Sequence, residues 1–554
     1  MRILLIVVVC CANCKLILAQ TTQNNRKVFT HDDTLRGSLN ANRSWWNVLR
    51  YDLEVEPDYM NKSIKGRNTI KYSGTGGNTM QIDLQEPMQI DSVISQNIHL
   101  PFHRSNNVFL VLVPEKKLAA RNDENYISIY FHGNPRLPAR PPWDGGWIFT
   151  KDEKGRPWMS VTCQGWGASV WYPCKDHQSD EPDEGASLTM IVPDTLVAIA
   201  NGRMISKIDL KDKSIYRWEV RNPINNYNLI PYIGKYESFG EVFDGEDGKL
   251  NCTYWVLDYE LDKAREQFKQ VKPMLQCFEH WFGPYPFYED GYQLVQSPHL
   301  GMEHQSAVAY GNKFLNGYLG RDLSGSGWGN KFDFIIIHES AHEWFGNNIT
   351  TNDVADMWVH EGFANYSETI ITQCQFGKRA GEEYVQGIRR GIKNDKPITG
   401  FYGVNNEGSG DMYPKAANML HTIRTIVNND SLFREILRGL NKDFYHKTVD
   451  ATDIEHYISK KTGIDFSLLF QQYLTTTQVP VVEWKIHDKT ISARLSNCLS
   501  GLTIKMWIPI SKEDGEWKNI NTHIWTTLNS SLTEVQADIL WNKNYYVEYK
   551  AVNP

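Results

Sequence analysis

The chain has 554 residues, of which 41% are hydrophobic and 22% charged, and a formal net charge of −7. That length exceeds one ordinary domain, and the composition is that of a soluble globular protein, so two to four domains are expected. An acidic balance without any basic run argues against a nucleic-acid partner, which needs a basic face.

The chain opens with MRILLIVVVCCANCKLILAQ, in which Arg2 precedes an apolar run and Ala19 precedes Gln20. A basic start, a short apolar core and a small residue before a polar tail form the pattern of a secretory signal peptide, residues 1-19. The run is too short for a membrane span. The mature chain is therefore expected to be exported, to the periplasm or the extracellular space, with no span of its own. A lipid-bearing Cys10, Cys11 or Cys14 is disfavoured, because Val9 and Asn13 are not the small residues that such a cysteine follows. Six cysteines remain beyond the leader, scattered from Cys163 to Cys498, and imply no disulfide framework. Sequons occur at Asn42, Asn251 and Asn348, among others.

From Trp46 to Phe243 the pattern is strands. YDLEVEP alternates Tyr51, Leu53 and Val55 with acidic residues, and YISIYFHG alternates Ile127, Ile129 and Phe131. Such period-two stretches between Gly, Pro, Asn and Asp clusters predict half-buried sheet. An N-terminal β domain over 27-245 is expected. From Leu250 the period lengthens. DKAREQFKQVKPMLQCFEHWFG predicts a helix interrupted near Pro273. NKFDFIIIHESAHEWFG, DMWVHEGFANYSETIITQCQFG and YPKAANMLHTIRTIVNN predict further helices, and shorter ones follow to about Leu474. This mainly helical block, 246-478, is the expected catalytic domain. Beyond Pro480 short strands return, predicting a small β-sandwich over 479-554, with no further helical block after it.

The chemistry concentrates in FIIIHESAHEWFGN. His338 and His342 are four residues apart, so a helix projects both from one face, where two imidazoles can grip one tetrahedral metal ion. Glu339 beside them can reach a water held there. A pair of surface histidines would give the same pattern. The next predicted helix, however, carries Glu361, with eighteen residues between it and His342. Two histidines and a carboxylate make an open catalytic site rather than a closed structural one. Glu368, two helical turns beyond Glu361, is placed to orient His338 from behind. Trp344, Phe345 and Trp358 beside the metal helices are expected in the core.

HESAHEWFGN and WVHEGFANYSE at this spacing resemble the M1 family of zinc aminopeptidases, which includes aminopeptidase N and leukotriene A4 hydrolase. LGMEHQSA resembles that family's Gly-x-Met-Glu-Asn element, and the resemblance implies that Glu303 holds the substrate's free α-amino group. It also implies that Gly301 and Met302 run along the substrate backbone. TCQGWGASVWYPCKD resembles the strand segment whose Gln or Glu, here Gln164, also reaches that amine. MYPKAANML resembles the Tyr-Glu-Lys-Gly segment and puts Tyr413 on the tyrosine that stabilises the transition state. Four elements in order, from about Tyr51 to the end of the chain, carry the resemblance. It implies a saddle-like N-terminal sheet domain, a thermolysin-like catalytic domain, one Zn2+ per chain, and peptide substrates with a free N-terminus. His304 replaces the usual Asn, and Pro414 and Ala416 replace Glu and Gly after the tyrosine. Asn405 stands where the epoxide-hydrolysing relative has Asp, so epoxide hydrolysis is not expected. Two other readings stay open: an endopeptidase of thermolysin type, and a binding or assembly protein on a decayed peptidase scaffold. The second predicts loss of at least one of His338, Glu339, His342 and Glu361, and all four are present.

Overall fold

The computed structural model describes residues 28–114 and 124–553. The signal-peptide stretch 1-19 lies outside the described residues. Among the described residues no helix is long and apolar enough to cross a membrane.

The alternating segments form an eight-stranded sheet. Its centre is the long strand Trp46–Asp58, which pairs antiparallel with Ser63–Gly74 and parallel with Ala186–Pro193. Along Trp46–Asp58 the predicted alternation is realised: Tyr51, Leu53 and Val55 are buried while Asp52, Glu54 and Glu56 remain partly exposed. A four-stranded sheet lies beside it and contains Gly146–Lys151 and Pro157–Thr162. The second of those strands delivers Gln164.

A five-stranded sheet, in the order Tyr236–Gly245, Gly248–Leu257, Tyr292–Gln296, Val308–Tyr310, Gly301–Met302, joins the N-terminal part to the helices. The 245/246 boundary falls in the turn of its first hairpin, where Gly245 pairs with Gly248. Both hairpin strands belong to this sheet, so the sheets divide near Tyr236. One side of it, through Leu257, Val295, Met302 and Ala309, packs into the N-terminal core; Tyr254, Leu294 and Tyr310 belong to the helical core. Gly301–Met302 is its edge strand and therefore has unpaired backbone on one side.

The helical region runs from Leu261–Gln267 to Ser467–Thr475. The predicted interruption near Pro273 comes earlier, at the short 3-10 turn Phe268–Gln270, and Pro273 sits in the first turn of Val271–Phe282. Proline in a first turn has no helical hydrogen bond to break. The helix Lys378–Ile388 follows Gly377 directly and was not anticipated by periodicity. The C-terminal strands form a four-stranded and a two-stranded sheet, with an added helix Glu534–Leu540. Trp484, Ile504 and Tyr545 belong to the same apolar cluster as the catalytic helices. The 479-554 segment thus shares a core with its neighbour.

Two of the scattered cysteines do pair. Cys277 on Val271–Phe282 is bonded to Cys374 near the end of Trp358–Phe376, across a sequence separation of 97. No spacing rule reveals such a pair. Closing a loop of that length restrains the unfolded chain. Replacing both cysteines with Ser is expected to lower stability by about 2–4 kcal/mol, read as a lower denaturant midpoint. An unchanged midpoint would exclude a structural role. Among the sequons, Asn348 is fully buried, whereas Asn251 is exposed. Of these two, only Asn251 can accept a modification in the folded chain.

Candidate active site

Phe334–Ala341 is apolar on all sides apart from its last turn, as a helix buried all round must be. Its start is pinned by Asp333, whose carboxylate accepts from the Ile335 and Ile336 backbone amides at 3.1 and 3.3 Å. The same carboxylate accepts from Tyr310 Oη at 2.7 Å and Asn312 Nδ2 at 2.8 Å. The cap therefore locks the helix onto the five-stranded sheet.

After Ala341 the helix widens. Asn347 N bonds His342 O at 2.9 Å and Asn348 N bonds Glu343 O at 3.1 Å, both five residues apart. Phe345 and Gly346 leave helical conformation, with Gly346 at φ 130°. This turns the Phe345 carbonyl back to accept from His342 Nδ1 at 3.0 Å. A Cβ at Gly346 would stand 3.1 Å from that nitrogen. Glycine is thus needed both for the dihedral and for the close approach.

His338 Nδ1 lies 2.9 Å from Glu368 Oε1. Glu368 is fully buried and also accepts from Asn365 Nδ2 at 2.8 Å and Tyr384 Oη at 2.5 Å. With each Nδ1 turned to an acceptor, each ring presents its Nε2 on the opposite side. Each Nε2 faces the same oxygen, Glu361 Oε2, at 3.4 Å. That oxygen is buried and has no hydrogen-bond partner. Two imidazole nitrogens and a carboxylate oxygen converging in this way form the donor set of an open zinc site. Donors on a tetrahedron with bonds of about 2.0–2.1 Å stand roughly 3.4 Å apart. The residues present therefore fit a zinc ion, which His338, His342 and Glu361 would hold. Ligand atoms of His338, Glu339 and His342 also lie within 4.8 Å of one another, the one such group among the described residues. Within it Glu339 stands beside the ligand triangle, with burial pushing its carboxyl up to about 7. That suits a proton acceptor better than a ligand.

Gly301, on the edge strand, backs Glu339. A Cβ there would meet Ile335 Cγ2 at 2.7 Å and Glu339 Oε1 at 2.8 Å. No other residue type lets that strand run so close to the motif helix. Met302 beside it is buried.

Glu303 follows, 2% exposed. Its Oε1 accepts from Tyr227 Oη at 2.9 Å and from Gln164 Nε2, and its backbone carbonyl accepts from Asn347 Nδ2 at 2.8 Å. Burial pushes its carboxyl above the ordinary range, and no Lys or Arg among the described residues is paired with it. The loop after it is held by Glu343, whose Oε1 accepts from Ser306 N at 2.8 Å. His304 is turned away from the cleft. It is fully buried, and its Nδ1 lies 2.6 Å from Tyr232 Oη. The substitution for Asn therefore bears on packing between domains and contributes no side chain to the cleft. Tyr413 caps Pro414–Val427, and its ring lies over His338 with centroids 5.9 Å apart. Pro414 occupies the first helical position, which tolerates proline. Trp344, Phe345 and Trp358 are all in the core.

A cavity of 560 Å³ joins these parts: Gln164, Gly301, Met302, Glu303, His338, Glu339, His342, Glu361, Glu368 and Tyr413 all line it. Every site residue expected from the sequence is therefore on one cleft. Residues that sequence patterns do not mark also take part. Tyr227 and Tyr384 act through long-range hydrogen bonds, and Glu407 lines the cavity from an irregular loop.

Glu368→Gln is expected to weaken zinc affinity by about 10–100-fold, because it loses the carboxylate that fixes the His338 ring. Competition with a metal chelator measures this. Unaltered affinity would mean that packing alone orients His338.

Residues 266–473 match the family model described as Peptidase family M1 domain. A leucyl aminopeptidase of Saccharolobus solfataricus is 24% identical over 340 residues, 59% of this chain and 42% of that protein. A probable aminopeptidase 1 of Sulfurisphaera tokodaii is 21% identical over 80% of this chain and 55% of its own length. The chain thus spans about half the length of the curated relatives it matches. In structure it is similar to an M1 zinc metallopeptidase mutant from Deinococcus radiodurans bound to a Tyr-Ser-Ala substrate. The TM-score is 0.65 at 20% identity, covering 78% of this chain and 95% of that one. The multidomain α+β fold is that of the M1 peptidases. Residues 266–473 thus match an M1 peptidase domain, and the intact His338–Glu339–His342 motif lies at its centre.

Proposed function

We propose that the protein is a zinc aminopeptidase that releases N-terminal residues from peptides, with one zinc ion per chain. The observation that carries this reading is Glu303. It is a buried carboxylate on the same cavity as the metal ligands, held by two neutral donors and by no Lys or Arg among the described residues. A buried carboxylate of this kind calls for a positive charge. A substrate's terminal ammonium supplies one, and an endopeptidase has no use for it.

The chemistry supplied by zinc in such a site is polarisation of the scissile carbonyl and acidification of a water. The chain's own residues do the rest. Glu339 accepts a proton from the attacking water and delivers it to the departing amine. Tyr413 donates a hydrogen bond to the carbonyl oxygen as that oxygen gains negative charge, a contribution of about 3 kcal/mol in comparable sites. Glu303 and Gln164 fix the ammonium and hence the position of the first carbonyl. The edge of Gly301–Met302 that borders the cavity can pair with the extended substrate as a further strand.

The test compares a free-amine peptide with its N-acetyl counterpart. The expected result is a kcat/KM at least about 100-fold lower for the acetylated form, as loss of a buried charge pair implies. Equal cleavage of both would support the thermolysin-type endopeptidase instead. We also propose export, to the periplasm or the extracellular space. The basic and apolar start of the chain supports it, and so does the Cys277–Cys374 disulfide, a bond of oxidising compartments. Recovery of the protein in a reduced cytoplasmic fraction would overturn that.

A further inference from the structure

Four carboxylates other than Glu368 border the cavity. Three have a use in the proposed reaction: Glu361 holds the metal, Glu339 moves the proton and Glu303 binds the ammonium. Glu407 has none. It accepts no side-chain hydrogen bond and makes no ion pair among the described residues, and its nearest cations, Arg36 and Lys396, act on it only from a distance. Burial, with Glu361 and Glu303 nearby, pushes its carboxyl up. Glu407 is half-buried on the cavity wall, placed to meet a cationic group of a bound ligand.

Its support is firm. The loop is closed by a bridge between Phe401 and Asn406. The N-terminal segment braces it, with Phe29 edge-on to Phe401 at 5.4 Å. Arg36 from the same segment donates to the Gly165 carbonyl at 3.2 Å, next to Gln164. One strap thus ties the ammonium-binding Gln164 to the Glu407 loop.

Position then decides what Glu407 meets. The ammonium lies at Glu303 and Gln164, and the reacting carbonyl between the metal ligands and Tyr413. The atom between these two groups is the first residue's Cα, so the side chain that leaves it is the substrate group that reaches a carboxylate near both Glu303 and Glu361. Pro142 and Trp143 line the same cavity and offer apolar surface to an aliphatic stem.

We propose that Glu407 is a specificity-determining residue that selects peptides whose first residue carries a cationic side chain, arginine or lysine. This rests on the aminopeptidase reading and adds a substrate class to it. The experiment measures kcat/KM for the 4-nitroanilides of arginine, citrulline, lysine and norleucine, with N-acetylarginine 4-nitroanilide as control, on the zinc-loaded wild type and Glu407→Gln. Citrulline keeps the shape of arginine without its charge. The wild type should prefer arginine to citrulline, and lysine to norleucine, by about tenfold or more. Glu407→Gln should lower the two cationic substrates at least about tenfold more than the two neutral ones. Calorimetry of argininamide and citrullinamide binding to zinc-loaded Glu339→Gln, with and without Glu407→Gln, reads the same preference without turnover. A wild type that cuts arginine no faster than citrulline overturns the proposal. So does a Glu407→Gln effect equal on all four substrates, which would make Glu407 a further holder of the ammonium. Cleavage of the acetylated control at the rate of its free counterpart would instead sink the aminopeptidase reading itself.

Discussion

Glu339→Gln is expected to lose about 10²–10⁴-fold in kcat while binding zinc as the wild type does. Glutamine keeps the volume of the side chain, and so keeps the contact with Gly301, but cannot accept the water's proton. The ligand set of His338, His342 and Glu361 is untouched, since each His Nε2 faces Glu361 Oε2. Metal analysis and kcat together check this. A metal-free variant would make Glu339 a ligand, and activity within tenfold of wild type would remove it as the base. The acid limb of kcat/KM carries the same information. Burial pushes Glu339 up to about 7, and a dication at the ligand triangle pulls a neighbouring carboxyl down. The base is active when ionised, so the rate should fall as pH drops, with a midpoint below 7. His338→Ala or Glu361→Ala should differ in kind, losing the metal along with the activity.

The parts of this site legible in the sequence are those set by helical periodicity. His338 and His342 share a face because they are four apart, and Glu361 and Glu368 share one because they are seven apart. A local rule is enough for each. The spacing between the two pairs is not a local rule, and reading it required resemblance to a family. What stayed hidden depends on contacts across long sequence gaps. Tyr384 reaches Glu368 from a helix that periodicity did not reveal, in a stretch interrupted by Gly381 and Gly387. The Cys277–Cys374 bond joins two helices whose proximity follows only from packing. The resemblance places Gly301 along the substrate backbone but does not mark it as the wall behind Glu339. The sequence shows His304 in place of the usual Asn but not that its ring is buried against Tyr232. The C-terminal strands read as a unit of their own because strand patterns show which residues are buried but not which core they enter. Glu407 sits in a loop, where no periodic pattern distinguishes a surface acid from one that faces a cavity.

Glu303→Ala should produce the other large effect, and its value lies in being selective. The residue sits 2% exposed among Tyr227, Gln164 and the metal ligands. Removing it leaves a substrate ammonium in a low-dielectric cleft with only neutral partners. Breaking a buried charge pair in this way costs about 3–5 kcal/mol, or roughly 10²–10⁴-fold in kcat/KM. Zinc content should stay at the wild-type level, because Glu303 is not one of the donors converging on the ion. The loss should fall on free-amine peptides alone. N-acetyl peptides, which carry no ammonium, should be cleaved poorly by the wild type and no worse by the variant. Glu303→Gln should fall in between, since an amide can accept from the ammonium but brings no charge. The profile to measure is therefore a two-by-two comparison, wild type and variant against free and acetylated peptide, read as a coupling energy. A coupling near zero, with both substrates damaged alike, would mean that Glu303 only supports the loop between Gly301 and Ser306. The ammonium would then have to be held by Gln164, Glu407 or Glu361, and the basis for exopeptidase specificity would move to them.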